Sequence, residues 1–261
     1  MPAAVRWPGQ LRFAWRALAL LAALIGLWEC YVDLGGAQPL ILPAPHAVAS
    51  ALYSDRALLW SNFLVTAEEV LLGIVVAAAA GLASAIAIHF SPTLRRAVYP
   101  LLVASPAIPI PMIAPVLVLW LGFGIRAKLV VIGLVSFFPI VVTTLAGLAA
   151  VDPELLKLMR TYDASRLCTF RHVELPSALP GVLTGAKIAV VVAVIGAYLA
   201  EMAGSSAGLG YLYQQSIAQI LTARAYAAVV ILSTFAIALF GALTLAERLA
   251  LPWAYESRGE R

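Results

Sequence analysis

Residues 127–149 read A-K-L-V-V-I-G-L-V-S-F-F-P-I-V-V-T-T-L-A-G-L-A, a run with a single charge, Lys128. About 20 apolar residues in helical form cross the hydrocarbon layer of a bilayer. The run does not alternate apolar and polar positions at period two, as a barrel strand would, so it predicts a membrane-spanning helix. Five further apolar runs lie at 12–30, 62–90, 98–121, 181–203 and 226–250. Of the 261 residues, 63% are hydrophobic and 11% charged, where a soluble domain carries about a quarter. So few charges cannot cover a water-facing surface, and lipid must be the main solvent. The expected fold class is an all-α polytopic membrane protein with six transmembrane helices.

The first run follows Arg6, Arg12 and Arg16, as in a signal peptide, but its apolar part is long. It is followed by Glu29, Cys30 and Tyr31 rather than a small-residue cleavage site, which marks it as a retained span. Six spans place both termini on one side. One set of flanking segments holds Arg6, Arg12, Arg16, Arg95, Arg96, Lys157, Arg160, Arg166, Arg171, Arg258 and Arg261; the other holds Arg56, Arg126, Lys128 and Arg224. Positive charge accumulates on the cytoplasmic side, so both termini are expected there. The net charge of +4 reflects this bias and gives no sign of nucleic acid binding. Cys30 and Cys168 fall on opposite sides and are read as structural thiols.

Residues 1–61 are expected to form an N-terminal transmembrane helix and an extracytoplasmic loop, 62–250 the core domain, and 251–261 a cytoplasmic tail. The loop 34–46 contains G-G-A-Q-P-L-I-L-P-A-P-H, which excludes a continuous helix. Residues 47–59 suit a short helix on the outer membrane surface. The third span carries Pro106, Pro109, Pro111 and Pro115. Each internal proline removes a backbone hydrogen bond, and such breaks persist in a membrane where freed carbonyls face protein or a water-filled cavity. A break lining a translocation path is therefore expected, with Pro109 and Met112 on it. Small residues in 77–85, and Gly181, Gly185 and Ala189 at four-residue spacing, predict close helix packing. Among ionisable residues at membrane depth, Glu68 and Lys187 are read as reaching toward the interface, and Glu201 as lying near a pore or gate.

Enzyme signatures are missing. His46, His89 and His172 lie on different segments, with no H-E-x-x-H, paired-cysteine or G-x-S-x-G pattern. The run Gly181–Lys187 imitates a phosphate-binding loop but is one residue short between its glycines, with Ile188 where a magnesium-binding hydroxyl would stand. The run G-S-S-A-G-L-G at 204–210 is read as a connecting turn. No cofactor or metal site is expected in this chain.

One long charged segment interrupts the apolar pattern, 152–180, D-P-E-L-L-K-L-M-R-T-Y-D-A-S-R-L-C-T-F-R-H-V-E-L-P-S-A-L-P. Asp152 is a plausible N-cap, Pro153 the first helical residue and Glu154 first-turn acid. At about 100° per residue, Leu155, Leu156, Leu158, Met159 and Tyr162 share one face, while Glu154, Lys157, Arg160 and Thr161 share the other. Asp163 is expected to end this helix and cap a second, 164–173, which Pro176 and Pro180 would stop. Two short helices at a corner would form a cytoplasmic knob suited to a groove on another protein.

This segment resembles the signature loop of binding-protein-dependent ABC importer permeases: an E-A-A triplet, three residues, glycine, then about nine residues before I-x-L-P. The downstream A-L-P and T-G also fit, and the resemblance extends over 62–250. Here the triplet reads Lys157, Leu158, Met159, and Asp163 replaces the glycine. Leu158-Met159-Arg160, F-F-P-I-V-V at 137–142, L-W-L-G-F-G at 119–124 and E-M-A-G-S-S-A-G-L-G at 201–210 resemble the branch for thiamine pyrimidine precursors, related to sulfonate, taurine and nitrate permeases.

The resemblance implies a type I importer fold in a prokaryotic plasma membrane. It also implies cytoplasmic ATP-binding subunits that hold the ATP, a second permease chain forming a homodimer, and an extracytoplasmic solute-binding protein. The residues implied to couple to the ATPase are Lys157, Arg160, Tyr162, Asp163, Ala164, Ser165 and Arg166; Pro109, Met112 and Glu201 are candidates for the pathway. Two other functions weighed against this one are an ion-coupled carrier using Glu68, Glu69 or Glu201, and an intramembrane enzyme.

Overall fold

The computed structural model describes residues 8–38 and 40–253. Arg6, Arg258, Arg261 and most of the expected tail lie outside them. In order come α1 (Pro8–Asp33), α2 (Pro45–Ser54), α3 (Arg56–Phe90), α4 (Pro92–Ala104), a 3-10 turn (Ser105–Ala107), α5 (Ile110–Leu121), α6 (Ile125–Ala149) and α7 (Pro153–Thr161). There follow α8 (Arg166–Thr169), a π turn (Phe170–Glu174), α9 (Leu175–Gly204), α10 (Leu209–Ala218) and α11 (Thr222–Ala250). No strand occurs among the described residues. Among the described residues, four helical stretches are long and apolar enough to cross a membrane: α3, α6, the continuous run Arg166–Gly204, and α11. The fold is that of an all-helical membrane protein.

The apolar run 127–149 lies in α6, the central helix, packed between α3 and α9. Small residues permit this. Gly73, Ala77, Gly81 and Ala85 make a buried stripe along α3 at four-residue spacing. A Cβ on Gly81 would stand 2.9 Å from Ile140 Cγ2. On the other side, a Cβ on Gly147 would stand 3.0 Å from the Ala178 carbonyl oxygen, and one on Gly181 2.9 Å from that of Thr143. Association in lipid depends on such close packing, because the tails are as apolar as the side chains. At one end, Val70, Ile132, Ala193, Val194, Leu209, Leu212 and Leu232 bring α3, α6, α9, α10 and α11 into one core.

The third expected span is broken, as its prolines predict. Helix α4 passes through the 3-10 turn and extended Ile108 and Pro109 before α5 begins. Elsewhere the structure moves expected boundaries. The surface helix is α2, shorter than 47–59, and α3 begins at Arg56 rather than 62. The corner between them is held by Asp55, which accepts from Arg224 Nε at 2.7 Å and Nη2 at 3.2 Å. Sequence 204–225 is more than a connection, because it contains α10.

Pro176 and Pro180 do not stop a helix, contrary to expectation. Leu175 N–H donates to the Phe170 carbonyl, a five-residue closure. This wider turn absorbs the missing Pro176 N–H, and α8 runs through it into α9.

Candidate functional site

Helix α7 forms as its sequence predicts. The Asp152 carboxylate accepts the Glu154 N–H at 2.8 Å, satisfying a first-turn donor, and Pro153 follows it. No residue of α7 is buried. Leu155, Leu158 and, just beyond, Tyr162 and Leu167 are 44%, 50%, 76% and 68% exposed. Leu155, Leu158 and Tyr162 of the apolar face are therefore uncovered by this chain, Leu156 and Met159 are half-buried, and Lys157 and Arg160 are exposed beside them.

The corner after α7 depends on one backbone conformation. Asp163 has φ 52°, while Asp163 N–H donates to Arg160 O at 3.1 Å and Ala164 N–H to Met159 O at 3.1 Å. This is the left-handed closure that glycine usually makes, and Asp is among the few other residues that tolerate it. Asp163 ends α7 as expected, but it does not cap the next helix. Ser165 does, its Oγ accepting the Cys168 N–H at 3.3 Å. A capping carboxylate would need extended backbone, which Asp163 has given up for the turn.

Behind the corner the chain is anchored. Arg166 lies over the Phe90 ring at 4.9 Å, and the buried Phe170 ring sits 5.0 Å from Phe90. His89 Nε2 and Glu174 Oε2 are 2.8 Å apart.

At the other end of the bundle, Glu201 is 1% exposed. Its Oε1 accepts the Thr66 hydroxyl at 2.6 Å and its Oε2 the Gly210 N–H at 2.5 Å. Thr66 Oγ1 in turn accepts Leu209 N–H at 2.8 Å, and Asn62 Oδ1 accepts Gly208 N–H at 2.8 Å. The first amide groups of α10 thus find partners on α3 and α9, and a carboxylate sits where the helix dipole favours it. The glycine-rich turn does cradle an acidic group, and that group, Glu201, belongs to the chain itself. Gly208, at φ 112°, is required both by its backbone and because a side chain there would strike the Glu201 carboxylate.

Ion pairs also join helices within the bundle. Lys128 Nζ meets Glu69 Oε1 at 2.5 Å, joining α6 to α3, and Lys187 Nζ meets Glu247 Oε2 at 2.7 Å, joining α9 to α11. Lys187 therefore does not reach for the interface, as expected from sequence, while Glu68 is exposed. Gly181–Lys187 lies inside α9, with no loop to hold a phosphate. At the surface, Glu29 of α1 pairs with His46 of α2, and Asp33 lies nearby.

An exposed amphipathic helix at a left-handed corner, mounted on a broken-span helical bundle, is the arrangement the sequence resemblance requires. The family model described as the binding-protein-dependent transport system inner membrane component matches residues 70–250. The chain belongs to that family. It is an ABC importer permease of the inner membrane.

The permease is 35% identical over 231 residues to a formylaminopyrimidine transport permease protein, ThiX, of Halalkalibacterium halodurans, covering 88% of this chain and 92% of the relative. It is 32% identical over 247 residues to a riboflavin transport system permease protein, RibX, of Chloroflexus aurantiacus, covering 93% and 92%. The fold matches a solved amino acid ABC transporter crystallised with histidines, with TM-score 0.61, 18% identity, and 76% of this chain and 96% of that chain covered.

Of the residues singled out in the permease sequence, Lys157, Arg160, Tyr162, Asp163, Ala164, Ser165 and Arg166 fall together around one corner. Pro109 and Met112 fall on an exposed face at the start of α5, Met112 being 73% exposed. Glu201 does not join them: it is enclosed by Thr66 and the start of α10. Sequence reasoning missed the roles of Asn62, Thr66, His89, Lys128, Glu174 and Glu247. Their sequence signal was polarity within apolar helices, visible for Lys128 and Thr66 but without a partner attached.

Proposed function

We propose that this permease works as a homodimer with two cytoplasmic ATP-binding subunits and an extracytoplasmic solute-binding protein, and that it catalyses no reaction itself. The single observation carrying this reading is the uncovered face of α7, Leu155, Leu158 and Tyr162, set at a fixed angle by Asp163. A groove on the ATP-binding subunit would cover that face, with Lys157, Arg160 and Arg166 beside it. On this reading α7 and both termini lie on the cytoplasmic side of a six-span topology, counting α1 and the broken α4–α5 pair as spans. A second uncovered stripe, Met112, Val116, Leu119, Trp120 and Phe123 on and after α5, suits the other permease chain and the path between the two.

For the solute, a thiamine pyrimidine precursor or related small heterocycle is favoured. The ThiX and RibX relatives are named for heteroaromatic solutes, and the runs at 119–124, 137–142 and 201–210 fit that branch. A sulfonate, taurine or nitrate is the alternative. An ion-coupled carrier is less favoured, because the carboxylates it would use, Glu69 and Glu201, are held by Lys128, Thr66 and Gly210.

The test is uptake into proteoliposomes carrying the permease, its ATP-binding subunit and its binding protein, with labelled formylaminopyrimidine and labelled taurine as probes. The reading expects uptake of the pyrimidine that needs internal ATP and is indifferent to ion gradients. Uptake driven by a gradient without the ATP-binding subunit overturns it, and uptake of taurine alone overturns the solute assignment.

A further inference from the structure

The two ends of the α7 corner are not equally attached to the membrane bundle. Behind the corner, α8, the π turn and α9 are one unbroken helix, Arg166–Gly204, joined to α7 by the short corner 162–165. Helix α3 is separate in sequence, yet its last two residues, His89 and Phe90, are packed against this same segment. Four observations converge there. His89 Nε2 lies 2.8 Å from Glu174 Oε2, with the two side chains 19% and 16% exposed. The Phe170 ring is 7% exposed and packs against both aromatic residues, 5.8 Å from His89 and 5.0 Å from Phe90, which are themselves 5.4 Å apart. The Arg166 guanidinium covers the outer face of Phe90 at 4.9 Å. Phe170 also packs with Leu148 of α6 and Ala178 of α9, next to Ile86 of α3.

The π turn explains why Glu174 faces α3. One residue inserted in a helical turn rotates the preceding helix by about 100° relative to the succeeding one. It sets the azimuth of Phe170, Arg166 and the α7 corner independently of the faces α9 shows to α6 and α11. Such inserted turns recur at functional positions in helices.

We propose that the His89–Glu174 contact, packed against Phe170, is the strut that carries displacement of the coupling helix into α3. This rests on the importer reading, and adds to it that nucleotide-driven motion reaches α3 directly through this contact, besides the covalent connections of α7 to α6 and to α9. His89 and Glu174 are positioning residues: they touch neither nucleotide nor solute. Glu69 and Thr66, which pair with α6 and with Glu201 of α9, lie on the same α3, so the strut connects the coupling end to the opposite cluster.

The test uses the full permease assembled with its ATP-binding subunit in lipid, with Cys30→Ala and Cys168→Ser as background. A nitroxide label is placed at Val75→Cys on α3 or, separately, at Ile195→Cys on α9, both exposed positions. Spectra are recorded with and without ATP and vanadate. The proposal expects the otherwise unaltered background to respond at both labels. In His89→Ala and in Glu174→Ala the α3 response is lost and the α9 response retained. His89→Gln, which keeps a side-chain N–H for Glu174, restores the α3 response. The double alanine variant should lose no more than either single variant, since one contact is removed in each. An unchanged α3 response in the alanine variants overturns the strut. So does loss of both responses together in all three His89 and Glu174 variants, which would mean the segment had merely collapsed. Absence of any nucleotide response in the unaltered complex overturns the importer reading instead.

Discussion

Thr66 and Glu201 lie 135 positions apart in sequence and meet at 2.6 Å, hydroxyl to carboxylate, inside the bundle. The same hydroxyl oxygen accepts the Leu209 N–H, so one side chain serves α3, α9 and α10 at once. Thr66→Val keeps the shape and removes both bonds, leaving a buried carboxylate oxygen and a buried amide unpaired. The expected loss is about 1–3 kcal/mol, read as a lower apparent Tm of the detergent-solubilised permease. Thr66→Ser should retain most of the stability, and equal loss in both variants would contradict this account.

Lys128→Ala should be more severe, because Glu69 is then left as an uncompensated buried charge, a change of about 3–5 kcal/mol in soluble proteins. Glu69→Gln combined with Lys128→Met removes both charges and should recover much of that loss. A double-mutant cycle on apparent unfolding free energy measures it; additive losses would mean the pair is not coupled.

Asp163 is predicted to be replaceable by glycine but not by proline or valine. Its φ of 52° suits glycine, while a β-branched or proline residue there forces the corner open. Asp163→Gly should keep the ATP-binding subunit through purification, and Asp163→Pro should lose it without lowering the Tm of the membrane part. Reversing Arg160 and Arg166 to Glu should have the same effect as the proline. Full co-purification in the proline or the reversed variant would remove α7 from the docking role.

His46 carries the one pH prediction. The Glu29 carboxylate beside it raises its pKa above the ordinary histidine value, first through their hydrogen bond and then through charge attraction. A raised folded value means the contact contributes fully below the ordinary histidine pKa and is lost as pH rises through the raised one. Amide protection of 34–44, corrected for intrinsic exchange, should persist at and below the ordinary histidine range and fall as pH rises above it. In His46→Ala no such step should remain.

The spans were legible because lipid imposes a length and a composition on each one separately, and α6, α3 and α11 each meet it alone. The α7 helix was legible for a similar reason: Asp152, Pro153 and the Leu155–Tyr162 stripe are local signals. Partnerships were not. Glu69 reads as a charge at membrane depth and Lys128 as one flanking a span, and nothing within either helix names the other. Pro176 and Pro180 misled because proline is read against an α-helical register, and the chain changes register at Phe170–Glu174. Helix α10 was hidden by the glycines of its own start, which look like a turn and are one, yet also leave room for Glu201.

The Glu69–Lys128 pair has a consequence for how the protein is made. Helix α3 enters the bilayer carrying Glu69, and its partner follows 59 residues later. At a synthesis rate of about 5–20 residues per second, Glu69 waits roughly 3–12 s for Lys128. A charge within a span is disfavoured during insertion, by about 2.5–3.5 kcal/mol at the helix centre and by less toward its ends. Pairing with Lys128 offsets that cost once α6 arrives, which favours α3 and α6 leaving the insertion machinery together. The permease carries, in one salt bridge, an instruction about the order of its own assembly.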